Sequence, residues 1–320
     1  MSTYSHSPKI STIQNGPLST LQPYGALFFA SSIVALVILC NVLERGLLRA
    51  IYGKLFVSLL APGNEKQRRS FTYYHVGVIN TIVILCVGFY PVITFIAGSA
   101  ATSTPMLAGG RTTVGDVLFV VANAYPAYYT FELCYRTKFA SPLSIAHHTG
   151  LIAIIQTSIS LFSNWEKHPE ATMEFYMCMI WGVFDAVVEL PIFISMIIWR
   201  TRRHDSKLLA YLTGSLCVWV LIGALTEVIV TIYLLHASWD RWGDVWKVVT
   251  PVIFSLWIST QLYGASRLYA MSQSEWRKHT RGTPEVVPVV ELHQLDSEKD
   301  LASVSSAKGI IGENRSTSPV

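Results

Sequence analysis

The chain has 320 residues, 51% of them hydrophobic and only 14% charged, and a mean hydropathy of +0.41. Soluble globular proteins carry about 25% charged residues, so this composition excludes the ordinary soluble class and points to a membrane protein. The net charge of +4 is small, and the basic residues lie in short segments between apolar runs. Orientation in a bilayer explains them better than a nucleic-acid partner does.

Residues 1–22 are polar and rich in Ser, Thr and Pro, and read as a disordered tail. Seven apolar runs follow, at 24–43, 76–98, 114–135, 143–163, 173–199, 208–236 and 247–270. Each approaches the ~20 residues that cross a ~30 Å hydrocarbon core. Backbone groups in lipid must be satisfied within the segment, so the runs are predicted to be helices. The first does not read as a convincing signal peptide, because little positive charge precedes it and Glu44 and Arg45 follow it directly. The stretch 47–62 mixes apolar and basic positions at helical spacing. It either extends the first helix or lies along the membrane surface.

The connections differ in charge. The first carries Arg45, Arg49, Lys54, Lys66, Arg68 and Arg69; the third Arg136 and Lys138; the fifth Arg200, Arg202, Arg203 and Lys207. The second and fourth offer only Arg111 and Lys167, and in the sixth Asp240 and Asp244 offset Arg241 and Lys247. By the positive-inside rule the odd-numbered connections are cytosolic, the N-terminus luminal and the C-terminus cytosolic. Trp239, Trp242 and Trp246 suit an interfacial belt on the luminal side. Residues 272–320 are polar and read as a disordered cytosolic tail, which keeps the sequon at Asn314 from the glycosylation machinery. The domain reading is therefore a luminal tail (1–22), one seven-helix membrane domain (23–271) and a cytosolic tail.

All five cysteines fall in or at the ends of apolar runs without a CxxC pair, and read as buried thiols rather than disulfides or zinc ligands. A short list of polar residues lies at membrane depth: Glu132, His147, His148, Asp185, Glu189 and Glu227, with Asn80, Asn123 and Gln156. A charge at the centre of a spanning helix costs about 2.5–3.5 kcal/mol, so these residues pair, face a wet cavity or carry function. At 1.5 Å per residue, Glu132 lies ~5 Å from the cytosolic helix end, His147 and His148 ~6–8 Å, Glu189 ~15 Å and Asp185 ~21 Å. Asp185 and Glu189 share a helix face, whereas the adjacent histidines diverge by about 100°. Glu227 falls nearer the luminal half. A carboxylate-held histidine can act as general base or nucleophile. Alternatively, Glu132 and Arg136, four apart, form an interfacial pair, and the other polar groups bond to one another and fix helix register. The tyrosines Tyr125, Tyr128 and Tyr129 read as packing, and His75 as solvated. No HExxH or repeated His box is present, so no metal site is expected.

The segments "FELCYR" and "SPLSIAHHTGLI" resemble the TLC-domain family, which contains the ceramide synthases and the translocating-chain-associating membrane protein. The family pattern is a Tyr-rich helix ending in a carboxylate, a short basic loop, and a helix opening with paired histidines. A motif of the form H-D-x-x-D-x-x-x-E follows. Here that segment reads "WGVFDAVVE", with Asp185 and Glu189 at the second Asp and the Glu, and Trp181 and Gly182 where the His and first Asp would stand. The resemblance implies an all-α TLC-type bundle over about residues 70–270, with six helices around a cavity open to the cytosolic leaflet, in the endoplasmic reticulum. It implies acyl transfer from acyl-CoA as co-substrate, with His147, His148 and Asp185 catalytic and Glu132 and Glu189 as supporting or substrate-binding carboxylates. Membrane lipids are the implied partners, and no bound cofactor is implied. A non-catalytic lipid-binding, lipid-homeostasis or cargo-handling protein on the same fold is the alternative. A membrane cyclase or isomerase using Asp185, Glu189 and Glu227 is the third reading. Within the acyl-transfer reading, His148 and Asp185 are expected to face one another, with Glu189 behind them.

Overall fold

The computed structural model describes residues 16–136, 138, 140–168 and 171–281. Among these the protein is all-α, without a strand; a single β-bridge, Pro105–Thr113, closes a loop. The helices are α1 (Gln22–Tyr52), α2 (Lys54–Leu59), α3 (Glu65–Ile96), α4 (Val114–Arg136), α5 (Pro142–Phe162), α6 (Ala171–Thr201), α7 (Ser206–Ser238) and α8 (Asp244–Arg281). Six of them, α1, α3, α5, α6, α7 and α8, are long and apolar enough to cross a membrane.

The exception among the long helices is α4. Its 23 residues span about 35 Å, but Asp116, Asn123, Glu132 and a run of tyrosines lower its hydropathy. The packing explains this composition: α4 is walled in by α1, α3 and α5, and most of its side chains are buried. A helix that meets protein on most sides need not be apolar on all of them.

The helices outrun the apolar segments at their polar ends. α3 begins at Glu65, and α8 continues to Arg281, so residues 272–281 are helical rather than part of a tail. Residues 282–320 lie outside the described residues. By its internal contacts the chain forms one unit through Trp276. At the other end, residues 16–21 are packed rather than tail-like. Leu18 is buried, and Ser19 Oγ donates to Asp116 Oδ1 at 2.6 Å. Of the predicted N-terminal tail, residues 1–15 lie outside the described residues.

Local chemistry sets the boundaries. Ser141 caps α5, accepting from the Ser144 amide at 3.1 Å, with Pro142 in the first turn where no N–H is needed. Asp205 caps α7 through the Leu208 amide at 3.0 Å. The 47–62 stretch splits: α1 runs through a π-turn (Leu43–Leu47) to Tyr52, then breaks at Gly53, whose φ of 49° suits glycine. Pro91, Pro126, Pro191 and Pro251 all sit inside helices. Pro191 removes the amide that would bond the Val187 carbonyl, and the Trp219 indole of α7 donates to that oxygen instead, at 3.3 Å.

Two sequence readings of single residue types change. Cys40, Cys178 and Cys217 are buried, but Cys86 and Cys134 face outward on the bundle surface. His75 is not solvated: it is half-buried in α3, paired through Nε2 with the Tyr52 hydroxyl at 2.8 Å and through Nδ1 with the Phe71 carbonyl at 2.8 Å.

Candidate functional site

The site is built on one stripe of α4. Tyr125, Tyr129, Glu132 and Arg136 recur at three- and four-residue spacing and therefore share a face. Glu132 is its hub. One carboxylate oxygen accepts from Arg136 Nη1 at 3.0 Å, and the other accepts from the Tyr73 hydroxyl of α3 and lies 3.6 Å from His148 Nδ1 on α5. Both Glu132 and His148 are buried. The Arg136 guanidinium lies 4.3 Å from the centre of the Tyr73 ring, a cation–π contact at the same carboxylate. Glu132 and Arg136 are paired as read from the sequence, but the same carboxylate also bonds Tyr73 and stands 3.6 Å from the histidine.

Asp185 on α6 is buried and accepts from two hydroxyls of the α4 stripe, Tyr125 at 2.7 Å and Tyr129. The Tyr129 ring lies 4.7 Å from the His148 ring, centre to centre. Tyr129 therefore joins the two halves of the site, with its ring against the histidine and its hydroxyl on the aspartate. Glu189, one turn from Asp185, is half-buried and close enough to interact with Asp185, Glu132 and the Tyr129 hydroxyl.

His148 and Asp185 thus do not pair directly, contrary to the expected arrangement. Depth is the reason. His148 lies beside Glu132, whereas Asp185 is bonded by Tyr129 and Tyr125, one and two turns back along α4. The carboxylate next to the imidazole is therefore Glu132, and Tyr129 spans the gap to Asp185. Tyr125 and Tyr129, read as packing, are instead the donors that hold Asp185. Their spacing to Glu132 was the available signal.

His147 lies on the α8 side of His148. Its ring packs edge-on against Trp257 at 5.0 Å, and its Nδ1 lies 3.4 Å from the Thr260 hydroxyl, both on α8. Its ring adjoins that of His148, 5.2 Å centre to centre, but it makes no hydrogen bond or ion pair with Glu132 or Asp185. Glu227 of α7 is fully buried and accepts from Gln261 of α8 at 2.7 Å. Trp181, at the motif-His position, is buried and donates to Thr231 at 2.9 Å, a packing role between α6 and α7. Among the described residues, no group of three His, Cys, Asp or Glu side chains is placed to hold a metal ion.

A cavity of about 380 Å³ adjoins the cluster on its side away from Arg136. α3, α4, α5 and α6 line it, almost wholly with apolar side chains. Tyr125 is shared, with its ring in the cavity wall and its hydroxyl on Asp185. On α6 the residues Cys178, Gly182, Asp185 and Glu189 follow one face, so this helix is apolar along the cavity and acidic at the cluster. The expected cavity was one open at the Arg136 end. The observed one lies beyond the cluster, where Gly88, Ala122, Gly182 and Ala186 leave space between helices.

The arrangement supports proton transfer. At 3.6 Å the Glu132 carboxylate lies just beyond hydrogen-bond distance of Nδ1, close enough to stabilise by charge an imidazolium formed during proton transfer. Fold and site together define an all-α, multi-pass protein with a buried His–carboxylate–Tyr cluster at one end of an apolar cavity. No family model, curated protein or solved structure matches the chain.

Proposed function

We propose that the chain is a TLC-type lipid-acting protein of the endoplasmic reticulum membrane, with seven spans and a cytosolic C-terminus. It transfers an acyl group from acyl-CoA to a lipid acceptor at His148. The observation that carries this reading is the buried contact of His148 Nδ1 with Glu132, at the polar end of an apolar cavity. In this mechanism Nε2 takes the proton of an acceptor amine or hydroxyl as that atom attacks the thioester carbonyl. The thiolate leaves and recovers the proton from the imidazolium, so the products are the acylated lipid and free thiol. Glu132 stabilises the imidazolium. Asp185, held by two tyrosines, supports the ring through Tyr129.

The test is the full-length protein in vesicles, supplied with acyl-CoA and a mixed lipid-acceptor pool, followed by lipid mass spectrometry. His148→Ala is expected to abolish an acylated product that the wild type makes. An unchanged lipid profile in a folded His147→Ala/His148→Ala double variant would overturn catalysis.

A second reading, a non-catalytic lipid-binding or lipid-homeostasis protein, is favoured by one observation. Trp181 and Gly182 replace the motif His and first Asp, and Trp181 is committed to Thr231. That reading expects co-purified lipid without turnover, and tolerance of His148→Gln.

A further inference from the structure

Lys66 in the first turn of α3, Arg136 at the end of α4 and Arg200 beside the end of α6 meet at one end of the bundle. The Arg136 guanidinium lies 5.8 Å from the centre of the Tyr74 ring, and Arg200 is close enough to interact with both Tyr74 and Arg136. Lys66 is close enough to interact with Arg136. Neighbouring cations are accounted for: Arg68 pairs with Glu44, Arg69 with Glu65, and Arg203 stands 5.2 Å from the Trp199 ring and near Glu275. Lys66 and Arg200 differ. Both are half-buried, and among the described residues neither has a salt-bridge or hydrogen-bond partner. Arg136 is bonded to Glu132 through Nη1, but its Nε is buried and without a partner. Three cations thus share one paired carboxylate.

Like charges brought together out of bulk water are unfavourable unless an anion joins them. The C-terminal dipoles of α4 and α6 attract cations, but they supply only partial charge. A guanidinium offers a planar fork of donors that matches a phosphoryl group. Depth selects the carrier of that group. Arg136 and Arg200 end long helices, and Tyr74 and Trp199 beside them are residues of the interfacial belt. Lipid phosphates lie at that level, just outside a hydrocarbon core of ~30 Å. Basic recesses between spanning helices bind anionic headgroups. The excess of positive charge favours an anionic lipid over a zwitterionic one, whose own ammonium offsets its phosphate.

We propose that Lys66, Arg136 and Arg200 form a binding site for the phosphate of an anionic phospholipid, in the leaflet that meets this end of the bundle. Arg200 and Arg136 Nε donate to the phosphate, and Lys66 adds charge at its rim. The site does not depend on catalysis at His148. Arg136 is the residue common to both: Nη1 holds Glu132, and Nε is left for the lipid. A bound headgroup therefore steadies the guanidinium that steadies Glu132.

The test uses the full-length protein in detergent with an equimolar mixture of phosphatidylinositol and phosphatidylcholine, and bound lipid is counted by native mass spectrometry. Wild type is expected to retain phosphatidylinositol in preference, and to melt higher with it than with phosphatidylcholine. Arg200→Gln should weaken that retention about tenfold, the worth of one charge-assisted hydrogen bond. Arg200→Lys, which keeps the charge but not the fork, should lose part of it. Arg49→Gln removes an exposed cation of α1 and should change nothing. An equal loss in Arg49→Gln and Arg200→Gln would mean attraction by bulk charge and would overturn the proposal. Equal retention of the two lipids, or the same wild-type Tm with each, would overturn it without any variant. Coenzyme A and inorganic phosphate are added in separate arms. Displacement of the lipid by either, at comparable concentration, would assign the cations to a soluble phosphoryl ligand and overturn the lipid site. His148→Ala should retain phosphatidylinositol as wild type does, so a failure of acyl transfer and a failure of this site are told apart.

Discussion

Nδ1 of His148 lies 3.6 Å from a carboxylate oxygen of Glu132, across the α4–α5 contact, and both side chains are buried. That carboxylate also accepts from Arg136 and Tyr73. Glu132 is therefore not free to swing away, and it presents a fixed charge to the imidazole. If His148 is the base, Glu132→Gln should lower kcat about 100-fold or more, within the range that general-base catalysis contributes. KM should change little. The double variant Glu132→Gln/His148→Ala should be no slower than His148→Ala alone, because the carboxylate acts only through the ring. Additive losses would assign Glu132 an independent role.

Asp185 depends on two phenols. Removing either hydroxyl leaves a buried carboxylate with one donor fewer, which costs about 1.5–3 kcal/mol for a bond to a charged group. Tyr129→Phe should thus lower thermal stability, and Tyr125→Phe should do so by a similar amount. The two should differ in activity. Phe at 129 keeps the ring against His148 but loses the link to Asp185, whereas Tyr125 touches the cavity wall and not the histidine. Melting temperatures and turnover of the two variants, measured side by side, check this. Equal loss of activity would sever Tyr129 from any special role.

The elements of this site were legible in the sequence, because charge in an apolar helix is rare enough to stand out. Glu132, His148, Asp185 and Glu189 were all on that list. Their pairing was not legible. Family spacing coupled His148 with Asp185, but helical rise places Glu132 level with the histidine, and only packing shows that Tyr129 covers the difference. Tyrosine is amphipathic and common in membrane helices, so its role as an acid's partner carries no compositional mark. The same limit applies to the cavity. Gly182 reads as a lost motif residue, and its open environment depends on four helices that no local pattern relates. The helix order was accessible because each apolar run reports its own burial. The helix ends were not, since the polar last turns of α3 and α8 carry no apolar signal.

Residues 16–21 form a strap on the loop that precedes α4. The Leu18 carbonyl oxygen approaches so closely that a Cβ at Gly115 would lie 1.8 Å from it. Backbone cannot yield as a flexible side chain does, so Gly115→Ala should expel the strap. The expected loss is about 1–3 kcal/mol, as for other overpacked sites. Ser19→Ala removes only the 2.6 Å bond to Asp116, which keeps its contacts from Thr113, and should cost less. Limited proteolysis should cut the Gly115→Ala protein near Ser19 faster than wild type. Equal cutting rates would show that the strap is not held by this contact.

The number of spans turns on α4. Six helices satisfy both length and apolarity, and α4 satisfies length alone. Its polar residues are covered by α1, α3 and α5, and at about 35 Å it exceeds a ~30 Å hydrocarbon core. If α4 crosses, the spans number seven and the termini lie on opposite sides. If it does not, they lie on the same side. Loop charge then gives an expected orientation: Arg136 ends α4 on the side of Arg68, Arg69 and Arg200, the side that the positive-inside rule assigns to the cytosol. Tags at the two termini, probed with protease in sealed microsomes, should separate. The C-terminal tag should be cleaved from outside the vesicles and the N-terminal tag protected until detergent is added. Cleavage of both tags would remove α4 from the spanning set and place Glu132 and Asp185 at different depths from those argued above.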